Sequence, residues 1–320
     1  MGRRYTGWIG VLVFPPVLAA QVEPLLAPPA SPQELVSQLR RGAHFRIVES
    51  FLVDGRMDRE AFLALRSALV AEPDTVREQV AKALALAAEE ADPLRPRGGR
   101  LVRSREILST LVEQGLANRD TARDFSIETL LEYTPAEALE PHESTLVENL
   151  KKWPDSKLLL LIAKGKFASA RPVLEELLRL GEWAEDERAW VAAAALGDTA
   201  AERRFVEPFL ETADPAEKAR LARLLGYIGT ERALSALAGQ MRTDLIYAVE
   251  GGPARSVRVD IMQALRHNFP EETALYDRAL LDPDVYDRVE RFCEERLGIA
   301  WQTPRPPFLT IAEYPHRAEK

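Results

Sequence analysis

Three evenly spaced glycines most limit what this chain can fold into. Gly165, Gly197 and Gly229 lie 32 residues apart, and apolar residues recur at matching positions after each of them. A period of this length is typical of repeat proteins, in which each unit is one supersecondary motif stacked on its neighbours. The spacing therefore predicts an array of similar units rather than a single globular core.

Within each unit the apolar residues follow helical spacing. When the three units are aligned on their glycines, one position of the first helix holds Val173, Phe205 and Leu237, and the position four residues later holds Leu177, Phe209 and Met241. In the second helix the equivalent positions of two successive units are Ala189 and Leu221, Ala192 and Leu224, Ala193 and Leu225, and Leu196 and Ile228. Such offsets trace one buried stripe on a helix, so each unit is predicted to be a pair of helices.

The glycines of the segment "LLGYIGTERALSAL" raise the alternative of a phosphate-binding loop. A phosphate cradle needs a strand leading into the glycines, whereas here a helical pattern leads in. We therefore predict that Gly229 ends one helix, that Thr230 caps the next, and that Gly226 lets two helices approach closely.

Other helix starts share a proline motif. "SPQE" from Ser31, "TPAE" from Thr134 and "DPAE" from Asp214 each predict a capped helix with proline in its first turn. Upstream, "DTVREQVAKAL" and "DTARDFSIETL" share Asp, Thr and Arg at equal offsets, which indicates a more distant repeat pair.

The segment "ALGDTAAERRFVEPFLETADPAEKARLARLLGYIGTERALSALAGQM" resembles the short bacterial HEAT-like repeats, including the kind named after the phycobiliprotein lyases. The match is good over residues 165–265 and weaker over residues 58–165. The resemblance implies an all-α fold: a right-handed α-solenoid of stacked antiparallel helix pairs, about seven in number. It implies little about activity, because repeats of this kind have few fixed residues.

The predicted organisation begins with a targeting segment. Residues 1–20 have a basic start, a short apolar run and small residues at the end, which is the layout of a signal peptide. A proline-rich linker over 21–31 follows, then the solenoid over 32–298 and a capping tail over 299–320. We expect an exported protein, periplasmic or secreted, with no transmembrane span after cleavage. Retention of the apolar run as an anchor or core helix stays open.

Composition and motifs argue against catalysis. The net charge of −8 disfavours nucleic acid as a partner. The four histidines are dispersed, and the sole cysteine, Cys293, has glutamate neighbours that disfavour a thiolate. We therefore expect no metal, no cofactor and no catalytic residue.

Two groups of arginines are candidate binding residues. The first is a basic loop that could grip an anion: Arg95, Arg97, Arg100, Arg103 and Arg105. The second opens successive second helices: Arg77, Arg123, Arg188, Arg220 and Arg258. These could pair with an aspartate of the preceding turn, namely Asp74, Asp120, Asp186 or Asp214. Alternatively, Arg188, Arg220 and Arg258 could join Trp190 in a partner-binding patch on the inner surface.

The sequence thus predicts a non-catalytic scaffold that binds a protein through its curved surface. Two alternatives stay open: a lyase or chaperone-like enzyme, suggested by the family resemblance alone, and a binder of an anionic glycan or lipid through the arginine loop. The segment 242–256 lengthens one unit, and insertions of this kind often carry binding.

Overall fold

The protein is seen in a computed structural model that describes residues 28–53, 56–91, 100–102, 104–248, 255–272, 275 and 283–305. These residues are mainly helical, as predicted. The α-helices are α1 Pro32–Arg40, α2 Arg59–Ala71, α3 Asp74–Ala88, α4 Arg105–Thr110, α5 Thr121–Tyr133, α6 Ala136–Leu139, α7 Glu143–Lys152, α8 Ser156–Gly165, α9 Arg171–Leu180, α10 Glu187–Ala195, α11 Thr199–Glu211, α12 Pro215–Ile228, α13 Glu231–Gly239, α14 Val257–Arg266 and α15 Pro283–Leu297. A π-helical turn, Leu111–Gly115, continues α4, and short 3-10 segments cover Phe45–Phe51, Glu140–His142 and Ala168–Ala170.

The helices form two rows. In the central row each helix packs against the next, in the order α3, α5, α8, α10, α12 and α14. A flanking helix precedes each of these and packs on it: α2, α4 with its π-helical turn, α7, α9, α11 and α13. Helix α1 packs on α2 and α3, and α15 packs on α13.

Two helices of the central row meet across α10, because α8 contacts α12 as well as α10. The buried side chains of α10 include Ala189, Ala192, Ala194 and Ala195, and small side chains let the neighbouring helices come together.

The predicted glycine roles are confirmed. Gly229 has φ +56° and ends α12, and the Thr230 hydroxyl accepts a hydrogen bond from the Ala233 amide at 3.2 Å. A Cβ on Gly226 would lie 2.8 Å from the Cα of Ala264, so α12 and α14 meet there at backbone distance. The Asn268 side-chain amide donates to the Gly226 carbonyl at 2.8 Å. This stretch is a helix turn and a helix contact.

The repeat register is confirmed by burial. Phe205, Phe209, Leu221, Leu225 and Ile228 are all buried in one continuous core. Ala193 and Val173 are partly buried and pack against that core. The stripe predicted from the spacing is therefore the face on which the helices pack.

Arginines link consecutive central helices, but with partners other than those predicted. Arg77 of α3 donates from Nε to Asp120 at 2.8 Å, and both side chains are 2% exposed. Asp120 also caps α5, accepting from the Arg123 amide at 2.9 Å. Arg123 in turn lies 3.9 Å from Asp155, the cap of α8, and donates to the Trp153 carbonyl at 2.9 Å. Arg77 and Arg123 thus reach the capping aspartate of the following central helix, not that of their own turn.

The structure contains several short β-strands, although the sequence showed little strand-like alternation. Within the described residues three antiparallel pairs form: Leu52–Val53 (β1) with Arg56–Met57 (β2), Glu89–Ala91 (β3) with Arg100–Val102 (β4), and Ile246–Tyr247 (β5) with Arg255–Ser256 (β6). In their registers Leu52 faces Met57, Glu90 faces Leu101, and Tyr247 faces Arg255. The acidic pair at 89 and 90 therefore lies in a strand, not on a helix face. Helical spacing could not detect these pairs because they are too short to show alternation.

The predicted caps are confirmed in two of three cases. The Ser31 hydroxyl accepts from the Glu34 amide at 3.2 Å, and Asp214 accepts from the Ala216 amide at 3.0 Å. The prediction at "TPAE" is wrong: Thr134 is buried, and the four-residue α6 begins only at Ala136. At the first of the three repeat glycines, the left-handed residue is Lys166, with φ +51°, instead of Gly165.

Residues 299–305 pack back onto the last helices. Arg305 pairs with Glu290 of α15, and Arg242 donates to the same carboxylate at 2.7 Å and to the Thr303 carbonyl. The Arg242 guanidinium lies 4.5 Å from the centroid of the Trp301 ring. Residues 306–320 of the predicted tail lie outside the described residues. No helix in the described ranges is long and apolar enough to cross a membrane.

Candidate functional site

Trp190 belongs to α10, and its ring meets a residue of α11. Its indole Nε1 donates to the Ala184 carbonyl at 2.8 Å, and the Arg204 guanidinium lies 4.1 Å from its ring centroid. The ring is half-buried against the core. Arg204 of α11 was missed by sequence reasoning, because it belongs to the following unit and meets Trp190 only through packing.

The three arginines predicted beside Trp190 differ in position. Arg188 is exposed, and its role in partner binding stays a prediction. Arg220 donates to Glu217 at 2.7 Å and also pairs with Glu187; the bond to Glu217 is the largest cause of its raised pKa. Arg258 is 5% exposed, donates to the Thr243 carbonyl and lies 5.2 Å from the Tyr286 ring centroid. Arg258 is therefore buried within the fold, and its role in partner binding stays a prediction.

The arginine loop is described only at its end. Arg95, Arg97 and Arg103 lie outside the described residues. Arg100 opens strand β4, and Arg105 is the exposed first residue of α4. The hypothesis of an anion site on this loop stays a prediction.

A groove forms where the carboxyl ends of central helices converge. We call it the helix-end groove. Its volume is about 690 Å³, within the range usual for ligand pockets. Its walls are the end of α5 with the following turn and α6, the end of α8, and the end of α14. The lining residues include Glu132, Ala136, Glu137, Glu140, Lys164, Lys166, Arg266, His267 and Glu271.

Two lysines, Lys164 in α8 and Lys166 at the C-terminal cap of α8, bond to the ends of neighbouring helices. The Lys164 ammonium donates to the Leu131 carbonyl of α5 at 2.5 Å, and the Lys166 ammonium donates to the Gly229 carbonyl after α12 at 2.9 Å. Loss of water around the Lys166 ammonium lowers its pKa. Terminal carbonyls carry the negative end of the helix dipole, which these cations complement. Both lysines therefore fix the groove walls.

The carboxylates of the groove are less engaged. Glu143 accepts from the Ser169 amide at 3.1 Å, and Glu271 lies 3.8 Å from Arg296. Glu132, Glu137 and Glu140 are exposed and make no ion pair or hydrogen bond with the described residues. The groove therefore presents carboxylates that are free to meet a ligand.

An aromatic pair stands beside these carboxylates. The rings of Tyr227 of α12 and His267 after α14 have centroids 5.0 Å apart. Burial, with a smaller effect of the Glu132 charge, raises the pKa of Tyr227 to about 12. Glu132 of α5 therefore lies near residues that belong to later helices of the chain.

The insertion at 242–256 is anchored on a buried carboxylate that sequence reasoning missed. Asp260 of α14 is fully buried; it accepts from the Tyr247 hydroxyl at 2.7 Å and pairs with Arg223 at 3.0 Å and Arg255 at 3.1 Å. The spacing of Val257, Asp260 and Ile261 on one helix face could have indicated its burial. Arg223 is half exposed and reaches this carboxylate from α12.

The described residues contain no group of three or more His, Cys, Asp or Glu that could hold a metal ion. Burial and nearby glutamates raise the pKa of the Cys293 thiol to about 12. His142 and His267 lie at helix ends.

Comparison of the chain with protein-family models, with curated proteins and with solved structures finds no match.

Proposed function

We propose that this protein is an exported, non-catalytic scaffold that binds a protein partner through the concave side of its helical repeats. The observation that carries the proposal is the helix-end groove of about 690 Å³. It is large enough for several side chains of a partner, and it is formed by the ends of packed helices and the turns that follow them.

The walls of the groove are held in place from within the protein. The Lys164 bond to the Leu131 carbonyl and the Lys166 bond to the Gly229 carbonyl join the ends of α5, α8 and α12. A preorganised surface loses less conformational entropy on binding, which favours affinity. These contacts support a docking role for the groove.

The architecture belongs to the same proposal. We infer a right-handed, HEAT-like α-solenoid of about seven helix pairs, counting α1 and α15 as parts of incomplete terminal pairs. The succession of flanking and central helices supports this. Terminal units of repeat proteins are commonly atypical, because they must present a polar outer face.

Export is proposed from the first twenty residues. Cleavage after residue 19 or 20 would release a periplasmic or secreted protein. Our proposal includes no nucleic acid, metal or cofactor as its partner. The intact mass of exported protein tests this: a mature chain starting at Ala20 or Gln21 is expected, and a soluble exported chain retaining Met1 would contradict it.

Photo-crosslinking tests the docking role. A benzophenone side chain is placed at Ala136 in the groove and, as a matched control, at Leu210, which is 46% exposed on α11. We expect one protein from the exported fraction to crosslink through position 136 and not through position 210. Equal yields at both positions, or no product at position 136, would overturn the proposal.

A further inference from the structure

We propose that the helix-end groove binds an extended segment of the partner that carries lysine or arginine side chains. This inference rests on the proposed function and names the chemistry of the segment that docks. It follows from the charges that the groove leaves free and from those that it uses internally.

The cations that hold the groove walls are directed at the protein itself. Lys164 and Lys166 each place the ammonium on a carbonyl at a helix end, 2.5 Å and 2.9 Å away. An anionic ligand would have to compete with these bonds. It would also approach the carboxyl ends of three helices, where the dipoles oppose negative charge.

The anions of the groove are available. Glu132 lies in the last turn of α5, Glu137 in α6 and Glu140 at the start of the 3-10 segment after α6. All three are exposed and unpaired within the described residues. Helix dipoles and unpaired carboxylates both attract cations, so the two features act in the same direction. Charge complementarity therefore selects a cationic occupant.

The shape of the groove favours a peptide over a compact ion. The lining runs from α5 and α6 across the end of α8 to α14, where the His267 ring lines the groove and lies 5.0 Å, centroid to centroid, from the Tyr227 ring behind it. An aromatic face beside carboxylates suits the guanidinium of arginine or the ammonium of lysine. An extended segment places alternate side chains on one side, so several of them can reach this wall and the acidic rim.

The test uses the full chain and two labelled peptides, (Lys-Ala)4 and (Glu-Ala)4, with fluorescence anisotropy as the readout. We expect (Lys-Ala)4 to bind, with affinity that falls as salt is raised, and (Glu-Ala)4 not to bind. The groove variant replaces three carboxylates by amides: Glu132→Gln, Glu137→Gln and Glu140→Gln. It should weaken (Lys-Ala)4 binding by at least about tenfold, because each lost charge contact is worth a few-fold.

A matched control removes the same charge from α9 and the loop after it. Its substitutions are Glu175→Gln, Glu182→Gln and Glu185→Gln, all at exposed positions. It should leave the affinity within about twofold, because none of these three side chains lines the groove. Circular dichroism and thermal melting establish that both variants are folded.

Three results would overturn the inference: no binding of (Lys-Ala)4, equal weakening by both variants, or preferential binding of (Glu-Ala)4. Equal weakening would mean attraction by net charge alone. The crosslink at position 136 separates these outcomes from the proposed function. A partner that crosslinks there with undiminished yield in the groove variant keeps the docking role and refutes the cationic segment.

Discussion

Replacement of Gly226 by alanine should destabilise the protein, although alanine is the better helix former. Gly226 lies inside α12, where helix propensity alone predicts a gain of about 1 kcal/mol. The added Cβ would lie 2.8 Å from the Cα of Ala264, 2.9 Å from its Cβ and 3.0 Å from its carbonyl oxygen. Two of these three atoms belong to the backbone of α14 and cannot move without shifting that helix.

The net effect follows from the two opposing contributions. Overpacking a tight contact costs about 1 to 3 kcal/mol, and the backbone contacts place this site in the upper half of that range. After the propensity gain is subtracted, Gly226→Ala should lower the free energy of unfolding by about 1 to 2 kcal/mol. Adding Ala264→Gly should recover only part of the loss, because the Cα and carbonyl contacts remain.

Urea unfolding measures this free energy, and the chain provides a matched control. Gly239 is also helical, at the end of α13, and a Cβ there would meet nothing within 4 Å. Gly239→Ala should therefore raise the urea midpoint or leave it unchanged, whereas Gly226→Ala should lower it at similar m-value. If Gly226→Ala stabilised the protein as Gly239→Ala does, α12 and α14 would not be in backbone contact.

Two further predictions concern buried polar groups. Asp120→Asn keeps the helix cap but leaves the buried Arg77 without its counter-charge, so it should lower the free energy of unfolding in urea by about 3 to 5 kcal/mol. Asp155→Asn, at a side chain that is 31% exposed, should lower it by about 1 kcal/mol or less. Equal losses in the two variants would refute the role of burial. Cys293, whose pKa is raised to about 12, is protonated at neutral pH and should react with a disulfide reagent only when α15 opens; rapid modification of the native protein at about pH 8 would contradict this.

The sequence was informative where one residue and its near neighbours decide the structure. The period of the glycines predicted the helix pairs, the turn at Gly229 and the close approach at Gly226. These depend on helical spacing and on local backbone geometry, both of which can be read along the chain. The capping aspartates were predictable for the same reason.

Contacts between units could not be predicted in the same way. Arg77 has aspartates both in its own turn and at the cap of α5, and only the stacking of α3 on α5 selects Asp120. Similarly, Glu132 and His267 are far apart in the sequence and line the same groove only through the packing of the helices that carry them. The helix-end groove is therefore a product of tertiary packing, with no local motif in the sequence.

Hydrogen exchange of a destabilised repeat tests the central claim most directly, namely that the units are stacked and each depends on its neighbours. Leu224, 7% exposed on α12, packs in the core, so Leu224→Ala should cost about 2 to 5 kcal/mol by opening a cavity. In a stack of repeats this loss stays near its source, so amides of α10 to α14 should exchange faster while those of α1 to α3 keep their protection. A uniform rise in exchange from α1 to α15 would show a single cooperative core and contradict the account.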